Sequence, residues 1–372
     1  MLSRAIVLGA LSLAWSCGVA PAAPQPADLG TAPSDTGTTA MDAGLDAIDA
    51  GPFDLGPFDL GTTDAGACTP ELATQETVRV QNAWGDIVGT LSLPDRCGPV
   101  PVVLIVGASD GYGTDRDGNV REAGETSDVY RWLAVGFVAQ GIGVLRYDWP
   151  GIQESARAYP PRGTEYLFDD EVVDASRWIT FLRADPRVAR IIAAGHSSGA
   201  LTALLASHAV PADGLISLEG PGRPAGRLLL EQLRGRITAA DHQRLTEAIQ
   251  ALEDGLLPGP LAPPLDRYLP VAAQPYCRSW FHWDPSVEIA TAGVPVLIVQ
   301  GTTDTQVFRE DADALLAAAP MGELLLVEGM CHLLKAAALT AAAQRAAHQD
   351  PTLPLAPGLM EPMAAFVHRV AR

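Results

Sequence analysis

The stretch Ile191-Ile192-Ala193-Ala194-Gly195-His196-Ser197-Ser198-Gly199-Ala200-Leu201 decides the fold of this chain. An apolar run leads into a Gly-x-Ser-x-Gly motif, and small residues that suit a helix follow at once. This order predicts a strand, a sharp turn and a helix, with Ser197 at the apex. Gly195 and Gly199 leave room for the strained backbone of such a turn. A tight turn that carries a solvated serine is the alternative interpretation.

Strands and helices alternate through residues 67–372, which we predict to form one domain with a large core. This alternation predicts an α/β fold with a mostly parallel sheet covered by helices on both faces. Binding sites in such sheets lie at the carboxyl ends of the strands. Strands are predicted at residues 76–80, 87–93, 102–106, 143–147, 188–194, 214–218, 294–299 and 323–327, and helices at about 127–140, 166–184, 200–208 and 222–256 and from 333 and 358.

A nucleophilic serine needs a base, and the base needs an acid to orient it. His332 directly follows the last predicted strand, and Asp304 follows the strand at 294–299. Both residues are therefore expected at the same edge of the sheet as Ser197, in the order typical of this architecture. His282 is the other candidate base. As alternatives, His332 or Asp304 could merely cap the helix that follows it.

Two backbone amides are candidates for stabilising a negatively charged oxygen during the reaction. The Ser198 amide begins the helix after the serine, where helix amides point at a bound anion. The second amide is expected from the loop after residues 102–106, with Ala108 as the first candidate and Ser109 as the next.

A long insertion, at about residues 221–290, separates two predicted strands and is expected to cover the top of the sheet as a lid. Its segment 276–284 is rich in aromatic residues. Trp280 and His282 could line a substrate pocket, or the aromatic side chains could instead pack the lid onto the core. Glu219 ends the preceding strand, where it could bind a cationic group or cap a turn.

The amino-terminal part of the chain differs from the rest in composition. Residues 1–22 read as a secretory signal, because the apolar run at 5–15 is too short to span a bilayer. Cys17 could be lipidated and become the new amino terminus; ordinary cleavage near residues 20–22 is the alternative. Residues 23–66 contain eight Asp and no Lys or Arg, which predicts a disordered linker that tethers the folded domain.

Charge and cysteine content exclude some function classes. The formal net charge is −19 and no basic patch suggests nucleic acid as a partner. Cys68 and Cys97 could form a disulfide in an exported protein, or they could remain free thiols. Cys277 and Cys331 have no evident partner, and no Cys/His spacing indicates a metal site.

Over most of residues 75–370 the chain resembles the α/β-hydrolase-fold serine hydrolases, most closely the bacterial branch of esterases and serine aminopeptidase-like hydrolases. The matching motifs are at residues 114–119, 145–148, 195–199, 222–224, 231–233, 278–280, 284–285, 301–307 and 329–335. The loop at 107–114 departs from the family pattern because it is longer. The resemblance implies Ser197 as nucleophile, Asp304 as acid and His332 as base.

The activity expected from this resemblance is hydrolysis of a small-molecule carboxylic ester through an acyl-enzyme, without a metal or other cofactor. A peptidase of the serine aminopeptidase type, and a thioesterase or acyltransferase, use the same three side chains. A non-catalytic binding protein tethered at the cell surface is the alternative from another class. The protein is expected to be exported and to contact a membrane only through a lipid anchor at Cys17.

Overall fold

The computed structural model describes residues 74–95, 98–108, 113–120, 124–161 and 163–372. The predicted signal, linker, lipidation site and Cys68–Cys97 disulfide, and Ser109, all involve residues outside these ranges. Eight strands of the described part form one sheet, in the order β1-β2-β4-β3-β5-β6-β7-β8. The strands are β1 (Thr74–Gln81), β2 (Asp86–Leu93), β3 (Val100–Val106), β4 (Gly143–Tyr147), β5 (Val188–His196), β6 (Gly214–Leu218), β7 (Val296–Gly301) and β8 (Gly322–Val327).

Strand directions follow the connections. β1 and β2 form an antiparallel hairpin, and β2 pairs with β4 antiparallel. All later pairings are parallel, because a helix or a helical insertion carries the chain back between successive strands. The predicted α/β fold with a mostly parallel sheet is confirmed.

The central strands are apolar along their whole length because both faces of the sheet are covered. In β3, Val102, Leu104 and Val106 pack into the core on one face. Val103 and Ile105 point the other way and pack into a second core. Successive side chains of a strand alternate between the two faces, so a strand buried on both sides has no polar position.

Ten α-helices cover the sheet and fill the insertion in the described part of the chain. They are α1 (Val129–Ala139), α2 (Phe168–Ala184), α3 (Ser198–Ala209), α4 (Ala225–Leu233), α5 (Ala239–Glu253), α6 (Gln274–Phe281), α7 (Pro285–Ile289), α8 (Arg309–Ala318), α9 (Ala341–Gln349) and α10 (Met360–Val370). Helices α4–α7 lie between β6 and β7, where the sequence predicts the insertion. None of the helices in the described ranges is long and apolar enough to cross a membrane.

The stretch 222–256, predicted to be helical, contains two helices, because Gly235 has a positive φ of 74° and Thr238 caps a new helix by accepting from the Asp241 amide. The prediction of a helix from Leu333 was wrong. No helix begins at Leu333. The chain there makes a tight loop in which Leu334 has φ 59° and the Cys331 amide donates to the Lys335 carbonyl at 2.9 Å. Tertiary contacts hold this loop.

Candidate active site

Ser197 lies in a strained turn between β5 and α3. Its φ of 54° and ψ of −125° are angles that non-glycine residues rarely adopt. A Cβ atom on Gly195 would overlap the Gly199 carbonyl, and a Cβ atom on Gly199 would overlap the carbonyl oxygen of Val106. Only glycine fits at both positions, so the motif spacing is a packing requirement.

The backbone and the side chain of Ser197 are held differently. The amide donates to the Leu218 carbonyl oxygen of β6 at 2.9 Å, which fixes the turn against the neighbouring strand. The hydroxyl is buried and makes no hydrogen bond to the residues that the structure describes. Catalytic hydrogen bonds are often long before substrate binds, so this geometry does not remove Ser197 as a candidate nucleophile.

His332 and Asp304 are brought together at the carboxyl ends of β7 and β8. His332 Nδ1 donates to Asp304 Oδ2 at 2.7 Å, and both side chains are almost fully buried. The other carboxylate oxygen, Oδ1, accepts from the amides of Gln306 at 2.7 Å and Val307 at 3.1 Å. These amides orient the carboxylate, so Oδ2 faces the imidazole. Nε2 is then the ring atom that can accept a proton.

The charge of Asp304 is maintained despite its burial. Burial by itself would raise the pKa of this carboxyl. His332, the neighbouring Glu219 carboxyl and the Gln306 amide outweigh burial and hold the pKa of Asp304 below its ordinary value. The carboxylate is therefore ionised where it faces the imidazole.

Glu219 lies at the end of β6, fully buried, with its Oε1 accepting from the Gly301 amide at 2.8 Å. From the sequence, Glu219 could bind a cationic group or cap a turn. A fully buried carboxyl that contacts Asp304 is not placed to meet the cationic group of a substrate in this structure. The substrate-binding interpretation of Glu219 is not supported.

His196 connects the serine turn to the loop that carries His332. Its Nε2 lies 2.8 Å from the His332 carbonyl oxygen, and its Nδ1 lies 3.0 Å from the Tyr130 hydroxyl. The carbonyl can only accept, so Nε2 carries the proton and Tyr130 donates to Nδ1. Burial, and then the nearby His332, lower the pKa of His196 to about 3, which keeps it neutral. His196, which precedes Ser197, thus links the loop that carries His332 to the turn at Ser197.

The profile of the Alpha/beta hydrolase family matches residues 102–343. The chain belongs to the alpha/beta hydrolase family. The matched residues run from the first parallel strand to beyond His332. They therefore include the turn at Ser197 and the Asp304–His332 pair. The family predicted from the sequence motifs is confirmed.

One curated relative of this hydrolase is the esterase EstD of Thermotoga maritima, which is 26% identical over 229 residues. The alignment covers 61% of this chain and 52% of that protein, so the chain spans about half the length of the curated relative it matches.

Solved structures with a similar fold include an esterase domain from Rhodothermus marinus, with 16% identity and a TM-score of 0.45, covering 80% of this chain and all of that one. Est1E from Butyrivibrio proteoclasticus has 16% identity and a TM-score of 0.49, with coverages of 79% and 96%. The family assignment rests on the profile match.

The two backbone amides predicted to stabilise the oxyanion, those of Ser198 and Ala108, have different surroundings in the structure. Ser198 is the first residue of α3, so its amide opens the helix beside the serine. The Ala108 amide instead donates to the Tyr130 hydroxyl at 3.0 Å, and the Ala108 carbonyl accepts from Thr114. A donor already bonded to Tyr130 is not directed at a substrate. The structure therefore does not support Ala108 for this role.

The aromatic residues of the insertion pack onto the core. The Trp280 ring in α6 is buried and stacks on Phe168 of α2, with 5.6 Å between ring centroids and 16° between ring planes. His282 lies at the end of α6, exposed, with Nδ1 near the Arg278 carbonyl oxygen at 3.2 Å. Of the two interpretations, Trp280 fits packing of the lid to the core.

Cys277 and Cys331 are buried free thiols, and Cys331 directly precedes the base. Sequence reasoning missed the Tyr130 link, because one tyrosine in a helix carries no local signal. It also missed the contact between Glu219 and Asp304. A charged residue at the end of the apolar run 214–218 was the available signal, since a strand buried on both faces has no other reason to end in a carboxyl.

Proposed function

We propose that this hydrolase cleaves small carboxylic esters through an acyl-enzyme formed on Ser197. The observation that carries the proposal is the 2.7 Å hydrogen bond between His332 Nδ1 and Asp304 Oδ2. In addition, the His332 carbonyl oxygen contacts Nε2 of His196, the residue before Ser197. An imidazole oriented by a carboxylate and connected to the strained turn of a serine is consistent with the arrangement that acyl transfer needs.

In the first half of the reaction, Ser197 Oγ attacks the ester carbonyl carbon while His332 Nε2 takes the hydroxyl proton. Asp304 stabilises the imidazolium. The amide of Ser198, with a second donor from the loop at 107–114, stabilises the negative oxygen. The bond to the leaving oxygen then breaks, and His332 gives that oxygen its proton, which releases the alcohol.

In the second half, His332 Nε2 takes a proton from water, whose oxygen attacks the acyl carbon. The bond to Ser197 Oγ breaks, the serine regains its proton from His332, and the carboxylic acid leaves. The apolar packing of the insertion favours small to medium acyl or aryl esters as substrates. The name of the curated relative, an esterase, supports the same class.

A chain-length series of p-nitrophenyl esters, with the full-length chain, tests the proposal. We expect Ser197→Ala to lower kcat/KM by about 10⁴-fold or more. The matched control is Ser176→Ala, which removes another buried serine whose hydroxyl donates to the Val172 carbonyl at 2.8 Å, and it should retain turnover.

The same experiment separates the alternatives. Turnover of aminoacyl-p-nitroanilides without ester turnover would indicate a peptidase, and transfer of the acyl group to an added alcohol or thiol would indicate an acyltransferase. A wild-type chain that turns over neither substrate and is not labelled by a fluorophosphonate would contradict the proposal and favour a binding protein.

We also propose that the chain is exported and lipidated at Cys17, on the strength of the composition of residues 1–66. Mass spectrometry of the mature amino terminus, in the wild type and in Cys17→Ser, tests this. Cleavage near residues 20–22 in both proteins would show export without a lipid anchor.

A further inference from the structure

Glu219 is fixed at the end of β6 by hydrogen bonds of its backbone and of its side chain. Its amide donates to the Val299 carbonyl oxygen at 2.9 Å, and its backbone has a positive φ of 48°. Its Oε1 accepts from the Gly301 amide at 2.8 Å, which ties the side chain to β7. The strained backbone and the burial of the carboxyl each cost free energy of folding. A glutamate kept in such a position therefore points to a role for its side chain.

The second oxygen of Glu219, Oε2, is buried and accepts no hydrogen bond from any donor in the described part of the chain. The titratable groups that face it are Asp304, which follows β7, and Cys331, in the loop after β8. The other oxygen, Oε1, is the one that accepts from the Gly301 amide. No Lys or Arg of the described ranges forms an ion pair with Glu219.

Two neighbouring carboxyls in such a site cannot both be ionised, because their charges repel and burial disfavours each of them. Asp304 has three partners that favour its ionised form, namely His332 and two backbone amides. Glu219 has one, the Gly301 amide. The proton therefore stays on Glu219, where burial and then the charge of Asp304 raise its pKa well above the ordinary value. A proton on Oε2 also gives this oxygen a role, as a donor to Asp304.

We propose that Glu219 is a positioning residue that acts as a neutral acid, donating a hydrogen bond to the Asp304 carboxylate and holding it toward His332. This inference rests on the proposed function of Ser197, His332 and Asp304, which it extends by a fourth member. Glu219 does not touch the substrate, so it should affect the chemical step rather than substrate binding.

Two substitutions separate hydrogen bonding from packing. Glu219→Gln keeps an oxygen for the Gly301 amide and an N–H donor for Asp304. Glu219→Leu keeps a similar size but removes both polar groups. We expect Glu219→Gln to retain most of the wild-type kcat, and Glu219→Leu to lower kcat by about 10- to 100-fold with KM little changed.

The pH profile of kcat gives a second comparison. Wild-type Glu219 loses its proton at alkaline pH and then places a second negative charge beside Asp304, so kcat should fall in that range. The Gln side chain does not titrate, so Glu219→Gln should keep its kcat where the wild type loses it. Equal profiles for the wild type and Glu219→Gln, or equal kcat for the Gln and Leu variants, would overturn the proposal.

A readout besides activity covers the case in which Glu219→Leu does not fold. The infrared difference spectrum between the wild type and Glu219→Gln at neutral pH should contain the carbonyl band of one protonated carboxyl, which disappears on alkaline titration. Glu171→Gln is the matched control, because Glu171 is a second buried acid that contacts neither Asp304 nor His332 through any hydrogen bond of the described residues. Absence of the Glu219 band would overturn the proposal.

Failure of the proposed function would look different. If neither the wild type nor any variant cleaves an ester, the triad proposal fails while the infrared band still reports the proton on Glu219. If Ser197→Ala abolishes turnover but the Gln and Leu variants at 219 behave like the wild type, only the role of Glu219 fails.

Discussion

Two buried polar clusters of this hydrolase contain the same kinds of side chain and differ in what those side chains contact. The strand-end cluster consists of Glu219, Asp304, His332, His196 and Tyr130. The α2 cluster consists of Tyr166, Glu171, Asp174 and Tyr276. Each contains two acids, and in each burial favours a proton on one of them.

In the α2 cluster the acids are bound by tyrosines. The Tyr276 hydroxyl donates to Glu171 Oε1 at 2.5 Å, and the Tyr166 hydroxyl donates to Asp174 Oδ2 at 3.1 Å. Burial raises the pKa of Glu171 to about 8. The Tyr276 bond joins α6 to α2, so the cluster fastens the insertion to the domain.

In the strand-end cluster an acid faces an imidazole that can take up and release a proton, and His196 connects the loop of that imidazole to the turn at Ser197. Burial and a shifted pKa are therefore common to both clusters and do not by themselves identify the active site. What distinguishes the strand-end cluster is that its candidate base is connected through His196 to the turn of the candidate nucleophile.

The largest expected contrast comes from removing one acid charge in each cluster. Asp304→Asn should lower kcat by about 10⁴-fold, because the amide can no longer hold the imidazole in the required tautomer. Asp174→Asn should change kcat by less than about tenfold and should lower stability instead, since among the described residues Asp174 bonds only to Asn82, Tyr166 and Arg177. Ester kinetics and urea unfolding measure the two effects. Similar losses of kcat in both variants would remove the distinction between the clusters.

The second contrast concerns pH and stability. A raised folded-state pKa means that the folded protein keeps the Glu171 proton after the unfolded chain has lost it. The Glu171 contribution is therefore present below the ordinary value of 4.5 and is lost as pH rises toward about 8. Glu171→Gln does not titrate, so its stability relative to the wild type should increase across this window and level off above it.

Urea unfolding at a series of pH values, with ester turnover measured in parallel, checks this prediction. The turnover of Glu171→Gln should follow the wild-type pH profile. A relative stability that does not change between pH 4.5 and 8 would show that Glu171 is ionised in the folded protein.

The smallest contrast uses one tyrosine from each cluster. Tyr130→Phe leaves the Ala108 amide and His196 Nδ1 without their partner, which should cost about 1–3 kcal/mol of stability and lower kcat by about tenfold. Tyr276→Phe removes the donor to Glu171 and should affect stability but not kcat. Equal kcat values for the two variants would mean that the Tyr130 link does not order the site.

Much of the fold could be predicted because a buried strand is recognisable from its own run of apolar residues. β4 and β6 are found at the predicted residues, since a strand covered on both faces must be apolar throughout. The loop after His332 could not be predicted in the same way. Its shape depends on the buried Lys335, whose Nζ donates to the carbonyls of Ser127 and Asp350 at 2.7 Å, and these residues are distant in sequence.

The residues of the candidate site likewise divide into those that the sequence predicts and those that depend on contacts distant in sequence. Ser197, Asp304 and His332 could be selected because each directly follows a strand whose position is visible in the sequence. The Ala108 prediction was not supported because the direction of a backbone amide depends on what lies opposite it, here the hydroxyl of Tyr130.

The sequence by itself determined the order of strands and helices, the glycine-flanked turn at Ser197 and the residue types needed for acyl transfer, because each depends on neighbours along the chain. Only the tertiary structure decided which groups share protons. The contact of Glu219 with Asp304 joins residues on different strands, and its consequence arises from excluding water around two carboxyls. Such a contact has no periodicity or spacing by which a sequence could record it.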